Sequence, residues 1–140
     1  TAILTLVEPC KAGSLQEAQQ HASAALEVNK IRTRIAAENM ANASSAGYIP
    51  KSIYVGQTRH KNGAYTVGIA KIERDKSRVH YESDPTHPQA DANGNVSMPG
   101  VNPLVEMMNM QESKNDSERA LKAYEVATNM RHQLIRMMNK

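Results

Sequence analysis

Three histidines, His60, His80 and His87, are the side chains best suited to share a metal ion, and their spacing argues against it. Compact ligand motifs place His or Cys only a few residues apart. Here the separations are twenty and seven, no Cys joins them, and three surface imidazoles are the reading. Asp91, Asn93 and Gly94 offer the oxygens of a calcium loop. That loop needs Gly at its sixth position and a late Glu, whereas Gly94 falls fourth, so a turn is expected. Cys10 is the single cysteine, which excludes an intrachain disulfide and a C-x-x-C metal or redox motif. Neither a nucleophile elbow nor a phosphate-cradling Gly-rich loop occurs. No cofactor and no catalysis are expected.

From Lys51 to His80 the chain carries seven Lys or Arg against two acids, with Tyr54 and Tyr65 interleaved. Tyr and basic residues on strands can stack on bases and contact phosphates, the chemistry of a single-stranded nucleic-acid module. A solvated hairpin face, or a surface meeting an acidic neighbouring subunit, accounts for the same residues. The formal charge of +3 is too small to favour nucleic acid.

Gly and Pro mark out the elements that hold these residues. Neither occurs from Ser14 to Ala46 or from Leu104 to Lys140, which predicts a long helix at each end. Ser14 with Glu17 forms a capping-box pattern, and Gly47 followed by Pro50 provides a stop. Such a helix is about 45 Å long. Its apolar residues Ala24, Val28, Ile31 and Ile35 form a narrow stripe of the coiled-coil kind. The C-terminal run has Met107, Met108 and Met110, then the polar stretch "QESKNDSER", then Ala120, Tyr124, Ala127, Met130, Leu134 and Met137. One helix with a weak middle is expected.

Between the helices, Tyr65, Val67 and Ile69 alternate, and Asn62-Gly63 is the preferred dipeptide of a two-residue hairpin turn. Residues 84–103 hold four of the six prolines and are expected to form an extended connector. The organisation is then an N-terminal extension (1–13), an N-terminal helix (14–47), a β-hairpin region (48–83), a Pro-rich connector (84–103) and a C-terminal helix (104–140). The fold class is mainly α with a small β insert, the terminal helices packing as a coiled coil. Residues 1–7, "TAILTLV", are too short to span a bilayer, and no membrane insertion is expected. Phe and Trp are absent and neither helix has a broad apolar face, so much of the burial is expected between chains.

"RTRIAAENMANASSAGY", Arg32 to Tyr48, sets Asn39 and Asn42 three apart near a helix end. They either cap a fraying end or bond to another helix. The stretch resembles the N-terminal signature of bacterial flagellar rod and hook proteins, through Arg32, Ile35, Asn39, Met40, Ala41, Asn42, Ser45, Gly47 and Tyr48. A second stretch, Tyr81 to Met110, resembles the segment typical of the FlgC-type proximal rod family. Its matching positions include Pro85, His87, Pro88, Ala90, Asp91, Gly94, Val96, Met98 and Pro99, then Val101, Asn102, Glu106 and Met107. Asn95 stands where that family has Tyr, and Gly100 where it has Asn. "LKAYEVA", Leu121 to Ala127, resembles the family's later Tyr-containing motif, displaced by about one heptad.

The resemblance implies a structural axial subunit of the proximal rod in the flagellar basal body, without enzymatic activity. It implies export through the flagellar type III apparatus and polymerisation into the periplasm-crossing drive shaft and its channel. Its implied partners are copies of itself, other rod subunits, and the MS ring with its rod adaptor protein. Subunit packing would fall to Arg32, Ile35, Asn39, Ala41, Asn42 and Tyr48, to His87, Pro88, Val101 and Asn102, and to Glu106, Met107, Met110 and Tyr124. Asn39 and Asn42 would fix helix register, as buried amides do in coiled coils. The alternatives are another axial flagellar protein, or a coiled-coil adaptor or nucleic-acid module with a basic hairpin.

Overall fold

The computed structural model describes residues 12–140. The apolar run Thr1–Val7 and Cys10 lie outside them, as does nearly all of the expected N-terminal extension. The elements are α1 (Ala12–Ala41), β1 (Lys51–Arg59), β2 (Tyr65–Arg74), a 3₁₀ turn (Lys76–Arg78), β3 (Val79–Ser83), β4 (Asn95–Pro99) and α2 (Pro103–Met138). The chain is mainly helical with a β insert, as its Gly and Pro distribution implies.

Helix α1 is described from Ala12, so Ser14 lies within it rather than before it. One Gly inside a helix costs only about 1 kcal/mol, so Gly13 does not halt a helix this long. It ends at Ala41, six residues before Gly47. The cause is Asn42. Its backbone N–H and its Nδ2 both donate to the Glu38 carbonyl, at 3.1 and 2.9 Å, and its Oδ1 accepts from Ser45 Oγ at 3.3 Å. The N–H bond is the last of the helix, and the two side-chain bonds compete with its continuation. Gly47 does adopt the left-handed φ of +77°, but in the turn that follows, where its N–H donates to Ser97 O of β4 at 2.8 Å.

Helix α2 opens on Asn102, whose Oδ1 accepts from Leu104 N at 3.0 Å, with Pro103 in its first turn. It runs unbroken through the polar stretch. Gln111 to Asn115 (3.0 Å), Arg119 to Asp116 (2.9 Å) and Ser117 Oγ to Ser113 O (2.8 Å) tie that stretch to itself. Across the helix pair, Gln19 Nε2 donates to Thr128 Oγ1 at 2.8 Å, and Arg32 lies 3.6 Å from Asp116 and 3.8 Å from Glu112. Low numbers on α1 thus meet high numbers on α2, and the helices are antiparallel.

The buried residues of α2 are Glu106, Ser113, Ala120 and Ala127, each seven after the last. On α1, Ala22, Asn29 and Ala36 repeat at the same interval, flanked by buried Val28, Ile35 and Asn39. The stripes expected from sequence are only half used. Val28, Ile35, Ala120 and Ala127 are buried, whereas Tyr124, Met130, Leu134 and Met137 are exposed. Small side chains let the helices approach, and that approach leaves the larger ones on faces turned outward.

The β insert is two hairpins, each a two-stranded antiparallel sheet. In the first, β1 pairs with β2 from Lys51↔Arg74 to Arg59↔Tyr65, with a register shift at Tyr54/Val55 that leaves Ala70 as the extra residue. Its loop has three residues rather than the expected two. His60 N donates to Ala64 O (2.8 Å) and Gly63 N to His60 O (2.9 Å), and Gly63 has φ +84°, the geometry of a turn closed by a glycine bulge. In the second, β3 pairs with β4 from Val79↔Pro99 to Ser83↔Asn95. The expected Pro-rich connector therefore contains a strand. Pro85 and Pro88 sit in the loop and Pro99 in the terminal pair with Val79, places where a missing N–H costs a sheet little.

Candidate subunit interface

Polar residues of the signature stretch converge at one peptide, that of Lys51 at the start of β1. Asn39, 1% exposed on α1, accepts from Lys51 N and donates to Lys51 O, both at 2.9 Å, and accepts from Tyr48 Oη at 2.9 Å. One side-chain amide thus satisfies both polar groups of a strand residue. Lys51 Nζ pairs with Glu38, one position before Asn39. Burial, then the neighbouring Glu38 carboxylate, push the Tyr48 phenol above its ordinary range, so it stays a donor to Asn39.

The second half of the junction comes from α2. Glu106 is 4% exposed and accepts from Arg78 Nη2 at 2.7 Å, while Arg78 Nη1 reaches Lys51 O at 3.5 Å. A buried carboxylate needs such a partner. A cleft of about 390 Å³ opens beside these groups, lined among others by Arg32, Asn39, Arg78, Glu106 and Ser113.

Within the chain, Asn39 bonds Lys51 and Tyr48, and Asn42 bonds Glu38 and Ser45 at the end of α1, the capping alternative. Ile35 is core, Tyr48 supports Asn39, and Asn102 caps α2. Arg32 also donates to Asn29 Oδ1 at 3.4 Å. His87 accepts from Gln89 N at Nδ1 (3.0 Å) in the β3–β4 loop, with Pro88 exposed beside it. Val101 is half-buried and Ala41 exposed. Met107 and Tyr124 are exposed and Met110 half-buried on α2. His60 bonds Thr66 Oγ1 (2.7 Å) and His80 bonds Glu82 (2.8 Å), so the three histidines serve separate partners. Asp91 Oδ1 accepts from Asn93 N and Asn95 N, at 2.8 and 2.9 Å, which makes the segment a turn. In the basic segment, Lys51, Lys71 and Arg78 pair with Glu38, Glu73 and Glu106, and Arg59 and Lys71 lie 5.9 Å from the rings of Tyr65 and Tyr54.

Sequence reasoning did not single out Glu38, Lys51 and Arg78 as partners in one junction. The available signal was Glu106 itself, an acid on the seven-residue seam shared with Ser113, Ala120 and Ala127. Its partner lies 28 residues away, and no periodicity reports that.

A second seam lies beside the buried one on α2. Met107 and Leu121 follow it by one position, Met110 and Tyr124 by four, so they continue the three-and-four spacing of a packed helix face. Lys114 and Ser117 separate the two apolar pairs. Met107, Leu121 and Tyr124 are 57%, 48% and 39% exposed.

No family profile matches the chain. A curated relative does: the flagellar basal-body rod protein FlgC of Agrobacterium fabrum (strain C58 / ATCC 33970) is 37% identical, over 76% of this chain and 83% of the relative. The chain belongs to the FlgC family of flagellar basal-body rod proteins. It is a structural protein of the basal body rod, serving motility, and not an enzyme.

Proposed function

We propose that the chain polymerises in the proximal rod with copies of itself and other rod subunits, forming the drive shaft that crosses the periplasm and the wall of its export channel. The α1–α2 pair forms the inner tube as a coiled coil, and the β hairpins contact neighbours laterally and axially. The MS ring and its rod adaptor protein adjoin it, and the type III export apparatus delivers it. The observation that carries this reading is the second seam: apolar side chains at heptad spacing that the chain leaves half-exposed. Burying its half-exposed Met107, Met110, Leu121 and Tyr124 contributes about 4 kcal/mol per chain, taking about 2 kcal/mol per fully buried side chain. Arg32, Ala41, His87, Pro88 and Val101 supply the remaining contacts, while Ile35, Asn39, Asn42, Tyr48, Asn102 and Glu106 shape the surface from within.

Leu121→Asp with Tyr124→Asp tests the seam. The double variant keeps the helical circular dichroism of the free chain, is absent from isolated basal bodies and abolishes swimming. Normal incorporation of this variant refutes the role of α2 in packing.

A further inference from the structure

We infer that Arg78 is a conformational latch, which makes the placement of the β hairpins depend on the docking of α2. Every link in it meets at Lys51. On the α1 side, Asn39 holds both the N–H and the carbonyl of Lys51 at 2.9 Å. On the α2 side, Arg78 bridges the same carbonyl (3.5 Å) to the buried Glu106 carboxylate (2.7 Å). The preceding Pro50 carbonyl accepts from Asp75 N at 2.7 Å, which draws the β2–β3 connection into the same knot.

The backbone of Arg78 is held as tightly as its side chain. Its carbonyl accepts from Gly100 N, at the entry to α2, and a Cβ at Gly100 would stand 2.6 Å from that oxygen. Arg78 is therefore gripped by the approach to α2 through its main chain and by the first turn of α2 through its guanidinium. With α2 undocked, the guanidinium loses its carboxylate and the Lys51 carbonyl loses its second donor. With α2 docked, β1, the β2–β3 connection and both helices share one arrangement. Coupling of this kind is reciprocal: a change on the α1 side must be felt on α2 to the same degree. Because the latch lies within one chain, it stands apart from whether the chain enters a rod.

Amide hydrogen exchange on the full chain tests it. Glu106→Gln and Arg78→Lys remove the charge or the fork of the pair while keeping a polar side chain. Each is expected to speed exchange of the Lys51 amide by about tenfold and to leave the His60 amide at the hairpin tip unchanged. Asn39→Ala is expected to speed exchange of the Glu106 amide, which donates to Asn102 O at 3.1 Å in the first turn of α2. Three results overturn the latch: a Lys51 amide unprotected in the unaltered chain, an equal rise at His60 and Lys51, or a Glu106 amide indifferent to Asn39→Ala.

Discussion

Asn39→Ala is the perturbation with the most to lose. The side chain is 1% exposed and makes three hydrogen bonds of 2.9 Å, to Lys51 N, Lys51 O and Tyr48 Oη. Truncation orphans the Lys51 N–H and the Tyr48 hydroxyl, while the Lys51 carbonyl keeps only the 3.5 Å approach of Arg78. Each buried group left unpaired costs about 1–3 kcal/mol. Lys51 and Tyr48 are half-buried, so water repairs part of the damage. About 3 kcal/mol is the expected loss. Tyr48→Phe removes one bond and leaves Asn39 its other two, for a loss of about 1 kcal/mol. Urea unfolding of the two variants, followed by far-ultraviolet circular dichroism, measures both. A loss below about 0.5 kcal/mol for Asn39→Ala, or equal losses in the two, refutes the view that this amide anchors β1 to α1.

Gly100→Ala places a methyl group against the Arg78 carbonyl and is expected to cost about 2 kcal/mol in the same assay, as overpacking does. Ala120→Leu forces apart the helix pair on its buried seam at a cost of about 1–3 kcal/mol, whereas Ala123→Leu, on an exposed face, changes stability by less than about 0.5 kcal/mol. Asp84 accepts hydrogen bonds from the Thr86 hydroxyl and N–H, which hold its carboxyl below the ordinary aspartate range. Its folded pKa is lower than its unfolded one, so its contribution is full above the unfolded value and is lost as pH falls through the folded one. The Thr86 amide resonance is expected to titrate below the ordinary aspartate range, and Asp84→Asn to remove that transition.

The helices are legible because Gly and Pro are missing from both beyond Gly13 and Pro103 in their first turns, and the polar middle of α2 carries Gln, Glu, Lys and Arg, which are helix formers. The ends were less legible. Asn42 stops α1 through a side-chain bond to Glu38, which outweighs the later Gly47 signal. The strand at 95–99 was hidden by surrounding prolines, which mark where pairing stops rather than excluding it. Apolar character alone does not tell which seam residues the chain covers by itself. Ala120 and Ala127 are covered because they are small, and Tyr124 and Met130 stand outside because they are not. Asn39 was recognisable as unusual for its place in a helix. Its partner, a strand backbone twelve residues on, follows from tertiary structure alone.

Electron cryomicroscopy of basal bodies isolated from the source bacterium tests the central claim most directly. The account predicts this chain in the proximal rod density, α1 and α2 running along the channel and the face of Met107, Met110, Leu121 and Tyr124 buried against a neighbouring subunit. A complete proximal rod that lacks the chain, or one that leaves this face in solvent, contradicts it.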